Sequence, residues 1–176
     1  RLFRLLRRQG ECIMAVSMPG GDVASRLSGY LDGLKNRHGL EEGEVEGNVV
    51  RVVVAPESVP QVLATAKAQL KVLHLSFITV VDWEGSFELT YELLDLRGGT
   101  VRVKTVIEGT EPVIGSVTSV YPTANWHERE AYDMFGVAFR GHPDLRRTYM
   151  WQDHFDHHPL LKSFDISTKR TFEGLR

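Results

Sequence analysis

Between Trp126 and Arg147 the chain reads WHEREAYDMFGVAFRGHPDLRR, its densest run of residues able to do chemistry. His127, Glu128 and Glu130, with His142 close behind, are the kit for general acid–base catalysis, in which a carboxylate or imidazole takes and returns a proton. A second cluster follows, Asp153, His154, Asp156, His157 and His158. His154 and His158 are four apart and can share a helix face as metal ligands. Against an enzyme, His127-Glu128 lacks the second histidine of a zinc HExxH motif, and no serine or cysteine nucleophile pattern is present. Pro159 makes a helix through His154 and His158 doubtful, and neither Gly20-Gly21 nor Gly98-Gly99 has the flanks of a phosphate loop. The residues therefore assign no catalytic group and no metal, with His154 and His158 the only metal candidates. The enzyme reading, a hydrolase or metal-dependent catalyst using His127, Glu128, Glu130 or the His154–His158 pair, stands as the alternative to a structural one.

Local spacing favours the structural reading. Asn125 and Glu128 have capping-box spacing, which starts a helix at Trp126. Arg129 and Asp133, four apart, can pair along one helical face. Gly136 stands where a left-handed stop ends the helix. Val137 to Phe139 is a short extended piece, Gly141 and Pro143 force a turn, and Asp144, Arg146 and Arg147 project from it.

The preceding chain supplies a scaffold. Glu11 to Met18 reads as a strand broken at Pro19. Asp22 caps a helix carrying Val23, Leu27, Tyr30, Leu31 and Leu34 at helical spacing and ending near His38-Gly39. An acidic loop starts at Glu41. Asn48 to Ala55 is a β-branched strand, and Ser58 with Gln61 caps a second helix with Leu63, Ala66, Leu70 and Leu73 on its apolar face. Phe77 to Trp83, Phe87 to Leu96 and Thr100 to Glu108 form a meander, separated by Glu84-Gly85-Ser86 and Arg97-Gly98-Gly99. In the second strand Glu88, Thr90 and Glu92 alternate with Leu89, Tyr91 and Leu93, so one face is wet or meets a partner. Its charges can pair with Arg102 and Lys104 of the third. These elements predict an α+β fold, helices packed on a mostly antiparallel sheet. Residues 1–149 form this domain, and 150–176 an extended, partner-binding tail with Trp151, Phe155, Leu160 and Phe164 as its contacts.

The totals agree. The 176 residues suit one domain, and the formal net charge of −2 gives no case for nucleic acid. Cys12 is the single cysteine, so no internal disulfide and no cysteine-ligated cluster can be built from this chain alone. No apolar run approaches the roughly 20 residues that span a bilayer. The basic, apolar RLFRLLRR at the start reads as a surface helix, or else as a partner-binding or membrane-surface arm, with no hydrophobic signal core after it.

At the 128–136 stretch EREAYDMFG and the 141–147 stretch GHPDLRR, with Pro122 and Ala124-Asn125-Trp126 before them, the sequence resembles the signature of the thirty-kilodalton subunit of respiratory complex I, the NADH:quinone oxidoreductase. The resemblance covers about residues 20 to 165. It implies an α+β subunit of the peripheral arm, binding no cofactor itself and meeting the membrane only through its complex, on the cytoplasmic side. Its implied partners are a large subunit related to the catalytic subunit of nickel–iron hydrogenases and a small iron–sulfur subunit. Those neighbours hold the iron–sulfur clusters, and a quinone site or a nickel–iron centre. Glu128, Arg129, Glu130, Asp133, Gly141, His142, Pro143, Asp144, Arg146 and Arg147 occupy motif positions, which implies interface and fold-fixing roles for them. Farther on, Leu161 and Ser163 stand where the family commonly has Arg and Asp. That departure keeps energy-converting, membrane-bound hydrogenase relatives open beside NADH dehydrogenase.

Overall fold

The computed structural model describes residues 21–37, 40, 42–71, 74–95, 98–150 and 157–165. The expected strand at 11–18, the RLFRLLRR segment, Trp151, His154 and Phe155 lie outside these. The element order is α1 (Gly21–Arg37), β1 (Glu42–Glu46), β2 (Val49–Val53), α2 (Val59–Leu70), β3 (His74–Asp82), β4 (Ser86–Leu94), β5 (Thr100–Glu108), β6 (Val113–Gly115), α3 (Ala124–Phe135) and β7 (Ala138–Arg140). The main sheet runs β1-β2-β5-β4-β3, and β6 and β7 pair separately.

The meander forms as the glycines require. Glu84 and Gly85 both have positive φ, and Trp83 N–H closes the turn on Ser86 O. Along β4 and β5 the alternation sorts side chains by face. Phe87, Leu89, Tyr91, Leu93, Val101, Val103 and Ile107 are buried in the core with Val50 and Val52 of β2. Leu27, Tyr30, Leu31 and Leu34 of α1 and Val59, Val62, Leu63, Ala66 and Leu70 of α2 complete it. Burying side chains of this size stabilises by about 1.5–3 kcal/mol each. The Tyr30 hydroxyl ties the helices together by donating to Val62 O at 3.0 Å. Burial pushes that phenol's pKa upward, and nearby Tyr121 adds to the effect.

The other face carries the expected ion pairs. Arg102 binds Glu92 at 2.6 Å directly across the ladder, and Lys104 reaches Glu88 at 3.0 Å on the diagonal. These partly exposed pairs are worth about 0.2–1 kcal/mol each. Glu88 and Thr90 are themselves buried, so this face is less wet than simple alternation implies.

Two local expectations fail. The acidic segment is not a loop. Glu42 to Glu46 is an edge strand antiparallel to β2, with its glutamates outward. Charges on an edge discourage pairing with another chain. Ser58 caps no helix with its side chain; a short 3-10 turn at Pro56–Ser58 leads into α2 instead. Strand β2 lies parallel to β5, a pairing between distant segments that local pattern does not signal. The sheet remains mostly antiparallel. At its far edge, α3 packs against β3.

A buried polar clamp around α3

Helix α3 carries the signature residues, and β6 and β7 bring their partners to it. These two short strands run parallel. The chain leaving β6 delivers Ser116 and Val117 to the first half of α3, and the turn after β7 delivers His142. Neither Asn125 nor Glu128 acts as a cap, because the N-cap position is Thr123 and makes no side-chain bond. Glu128 instead points inward and is fully buried. Its Oε1 accepts Val117 N–H and its Oε2 accepts Ser116 Oγ–H, both at 2.7 Å. Burial raises its pKa to about 7, against the lowering effect of these two donors.

The side chain of His142 is fully buried beside it, with Nε2 4.0 Å from Glu128 Oε2 and 3.3 Å from Asn125 O. Asp144 N–H donates to His142 Nδ1 at 3.0 Å, so the ring's proton belongs on Nε2. Tyr91 of β4 faces the same site. Its hydroxyl is buried without a protein partner, and burial, then the Glu128 charge, push its pKa up.

The second half of α3 is organised by Asp133. The spacing predicts a pair with Arg129, and that pair does not form. Instead Asp133 Oδ2 accepts three successive backbone N–H groups, from Thr148, Tyr149 and Met150, at 2.9, 2.7 and 3.0 Å. Its Oδ1 lies 2.9 Å from Arg147 Nε. Burial opposes the charge, but the three amides and the arginine outweigh it and hold the carboxyl below its ordinary value. Arg147, only 9% exposed, also donates to His157 O. It is therefore committed inside the chain, not projecting. Arg129 turns instead to Trp126, with its guanidinium carbon 5.0 Å from the ring centroid, and its Nε donates to Arg146 O at 3.2 Å. The i,i+4 expectation fails because Arg147, fourteen residues away, offers Asp133 a buried partner and carries the amide row with it.

The same helix end fastens the tail. His158 Nδ1 donates to Asp133 O at 2.9 Å, and Leu160 N–H to Met134 O at 3.1 Å. Farther on, Lys162 N–H donates to Asp82 Oδ2 at 2.9 Å, bolting the segment to the end of β3. The imidazole of His158 lies against Gly136, whose φ of 79° closes α3. A Cβ there would stand 2.9 Å from the His158 ring. Gly136→Ala is expected to cost about 1–2 kcal/mol through φ alone, with the clash on His158 added. A urea titration of wild type and variant would register it as a lower midpoint.

The remaining motif residues are peripheral. Glu130, Pro143 and Asp144 are exposed, and Arg146 pairs with Asp144 at 3.0 Å on the surface. Gly141 takes a φ of 85° in the turn. Of the tail residues, Leu160 is 55% exposed and Phe164 lies beside the His157 ring. His127, the other histidine among the acid–base candidates, is half-buried. Burial lowers its pKa, with Glu130 opposing and His74 reinforcing that direction. Among the described residues no group of three or more His, Cys, Asp or Glu side chains could hold a metal ion. Ser116, Val117 and Tyr91 carry no signal in the sequence; only the non-local fold brings them to Glu128.

Residues 52–170 match the family model described as the 30 Kd subunit of respiratory-chain NADH dehydrogenase. The chain is 35% identical over 153 residues to the C subunit of the NADH-quinone oxidoreductase of Azorhizobium caulinodans, covering 83% of this chain and 69% of that protein. It is 39% identical over 134 residues to the mitochondrial NADH-ubiquinone oxidoreductase 30.4 kDa subunit of Neurospora crassa, covering 73% of this chain but only 47% of that protein. A solved trypsin-resistant fragment of Nqo5 superposes with a TM-score of 0.59 at 30% identity, over 68% of this chain and 99% of the fragment. The family match takes in β3 to β5 of the main sheet and the signature helix α3, and the chain belongs to the 30 kDa subunit family of the respiratory-chain NADH dehydrogenase.

Proposed function

We propose that the chain is a non-catalytic scaffold subunit in the peripheral arm of a membrane-bound, ion-translocating NADH–quinone oxidoreductase, on the cytoplasmic side. It docks on the large hydrogenase-like subunit, beside the small iron–sulfur subunit, and those neighbours hold the iron–sulfur clusters and the quinone site. The observation that carries this reading is the saturation of Glu128 and Asp133. Both carboxylates are fully buried and bonded to groups of their own chain, which suits a structural element and not a site open to substrate. Docking then falls to exposed motif positions, Glu130, Asp144 and Arg146, and to the tail that α3 holds in place. No described helix is long and apolar enough to cross a membrane, in keeping with a peripheral position. The relatives described above bear NADH-quinone or NADH-ubiquinone names, which favours that setting over a nickel–iron hydrogenase-type complex.

Tagged in its host, the chain should copurify with a larger subunit and with iron. Expressed alone, it should carry no stoichiometric iron, nickel or flavin. Deleting residues 150–176 should release it from the complex. Isolation as a solitary monomer, or a stoichiometric metal with turnover of its own, would contradict the proposal.

A further inference from the structure

We propose that His142 is a proton-controlled switch between two hydrogen-bond acceptors, the Asn125 carbonyl and the Glu128 carboxylate, and that the exchange sets how firmly the His-Pro-Asp turn is held to α3. The geometry places a single N–H within reach of both. His142 Nε2 is 3.3 Å from Asn125 O and 4.0 Å from Glu128 Oε2, with both side chains fully buried. The other ring nitrogen is occupied by Asp144 N–H at 3.0 Å, so the imidazole is neutral and has one proton to give.

Among the described residues, the groups bonded to Glu128 and His142 are uncharged. From the segment after β6 come Val117 N–H and the hydroxyls of Ser116 and Thr118. From β4 comes the Tyr91 hydroxyl. From the turn come His142 and the backbone of Asp144, whose own carboxylate pairs with Arg146 at the surface. The other buried charges of α3, Arg129 and Asp133, are engaged by Arg146 O and by Arg147.

While Glu128 keeps its proton it is a neutral acid, and the Asn125 carbonyl is the better acceptor. When that proton passes to solvent, an anion is left in a buried site with two donors. A charge-assisted hydrogen bond is shorter and roughly twice as strong as a neutral one, so the imidazole closes the 4.0 Å gap to Glu128. In doing so it draws Nδ1 away from Asp144 N–H and loosens the turn. No other proton or bond changes. Burial sets the Glu128 transition near pH 7.

The test is NMR of the full chain labelled with carbon-13 and nitrogen-15, titrated across neutral pH. The Glu128 carboxyl carbon should titrate with a midpoint near 7. The His142 Hε2 resonance should move downfield with the same midpoint, while Nδ1 stays in the unprotonated range. Glu128→Gln should abolish the His142 movement. Coincident midpoints in the wild type test the coupling without that variant, should it not fold. Titration of Glu128 in the ordinary carboxylate range would overturn the proposal. So would both His142 nitrogens shifting together as an imidazolium forms.

Discussion

Asp133→Ala should destabilise the chain by about 3–5 kcal/mol, the usual cost of removing one partner from a buried ion pair. The substitution strands Arg147 in a site where it is 9% exposed and removes the acceptor of three backbone N–H groups. Urea or thermal unfolding would measure the loss. Limited proteolysis would locate it, with new cleavage expected between Arg147 and Asp165, where the clamp lets go. Asp133→Asn should fall between wild type and Ala, because its amide oxygen still accepts but carries no charge for Arg147. The depressed Asp133 pKa also has a consequence with pH. Its stabilisation is complete above the unfolded carboxyl value and disappears as pH falls through the lower folded one, so acid should open this half of α3.

Glu128 should behave oppositely. Its pKa is raised from 4.5 to about 7 in the folded chain. The folded state therefore binds a proton more tightly than the unfolded state. The native state is at its most favourable, from this group, below the unfolded value, and loses on the order of 3 kcal/mol as pH rises through the folded one. Glu128→Gln keeps the shape and can still accept Val117 N–H and donate to Ser116 Oγ, but it cannot ionise. Unfolding free energies measured at several pH values should decline for wild type between the two pKa values and show no such component for the variant. Parallel curves would mean that Glu128 is ionised at ordinary carboxylate pH.

Much of the frame is legible in the residues. Glycines at 85 and 98 bound the meander, helical spacing picks out Leu27, Tyr30, Leu31 and Leu34, and Gly136 marks the end of α3. These signals are local, set by φ and by periods of two or 3.6 residues. The clamp is illegible for the same reason. Capping-box and i,i+4 rules see only neighbours in the chain, whereas Glu128 finds Ser116 twelve residues earlier and Asp133 finds Arg147 fourteen later. Charge also misleads: Glu42, Glu44 and Glu46 read as a solvated loop, yet their alternation with Gly43 and Val45 is that of an edge strand. The family resemblance locates the important stretch, and the structure separates its members with buried side chains, Glu128, Arg129, Asp133, His142 and Arg147, from its exposed ones.

The most direct test of the clamp is to place Asp133→Ala in the tagged chain in its host and measure two quantities together, the yield of assembled complex and the NADH–quinone turnover per assembled complex. A structural clamp predicts a sharp fall in assembly with near-normal turnover in whatever complex forms. Normal assembly with turnover abolished would contradict it and return the signature to chemistry.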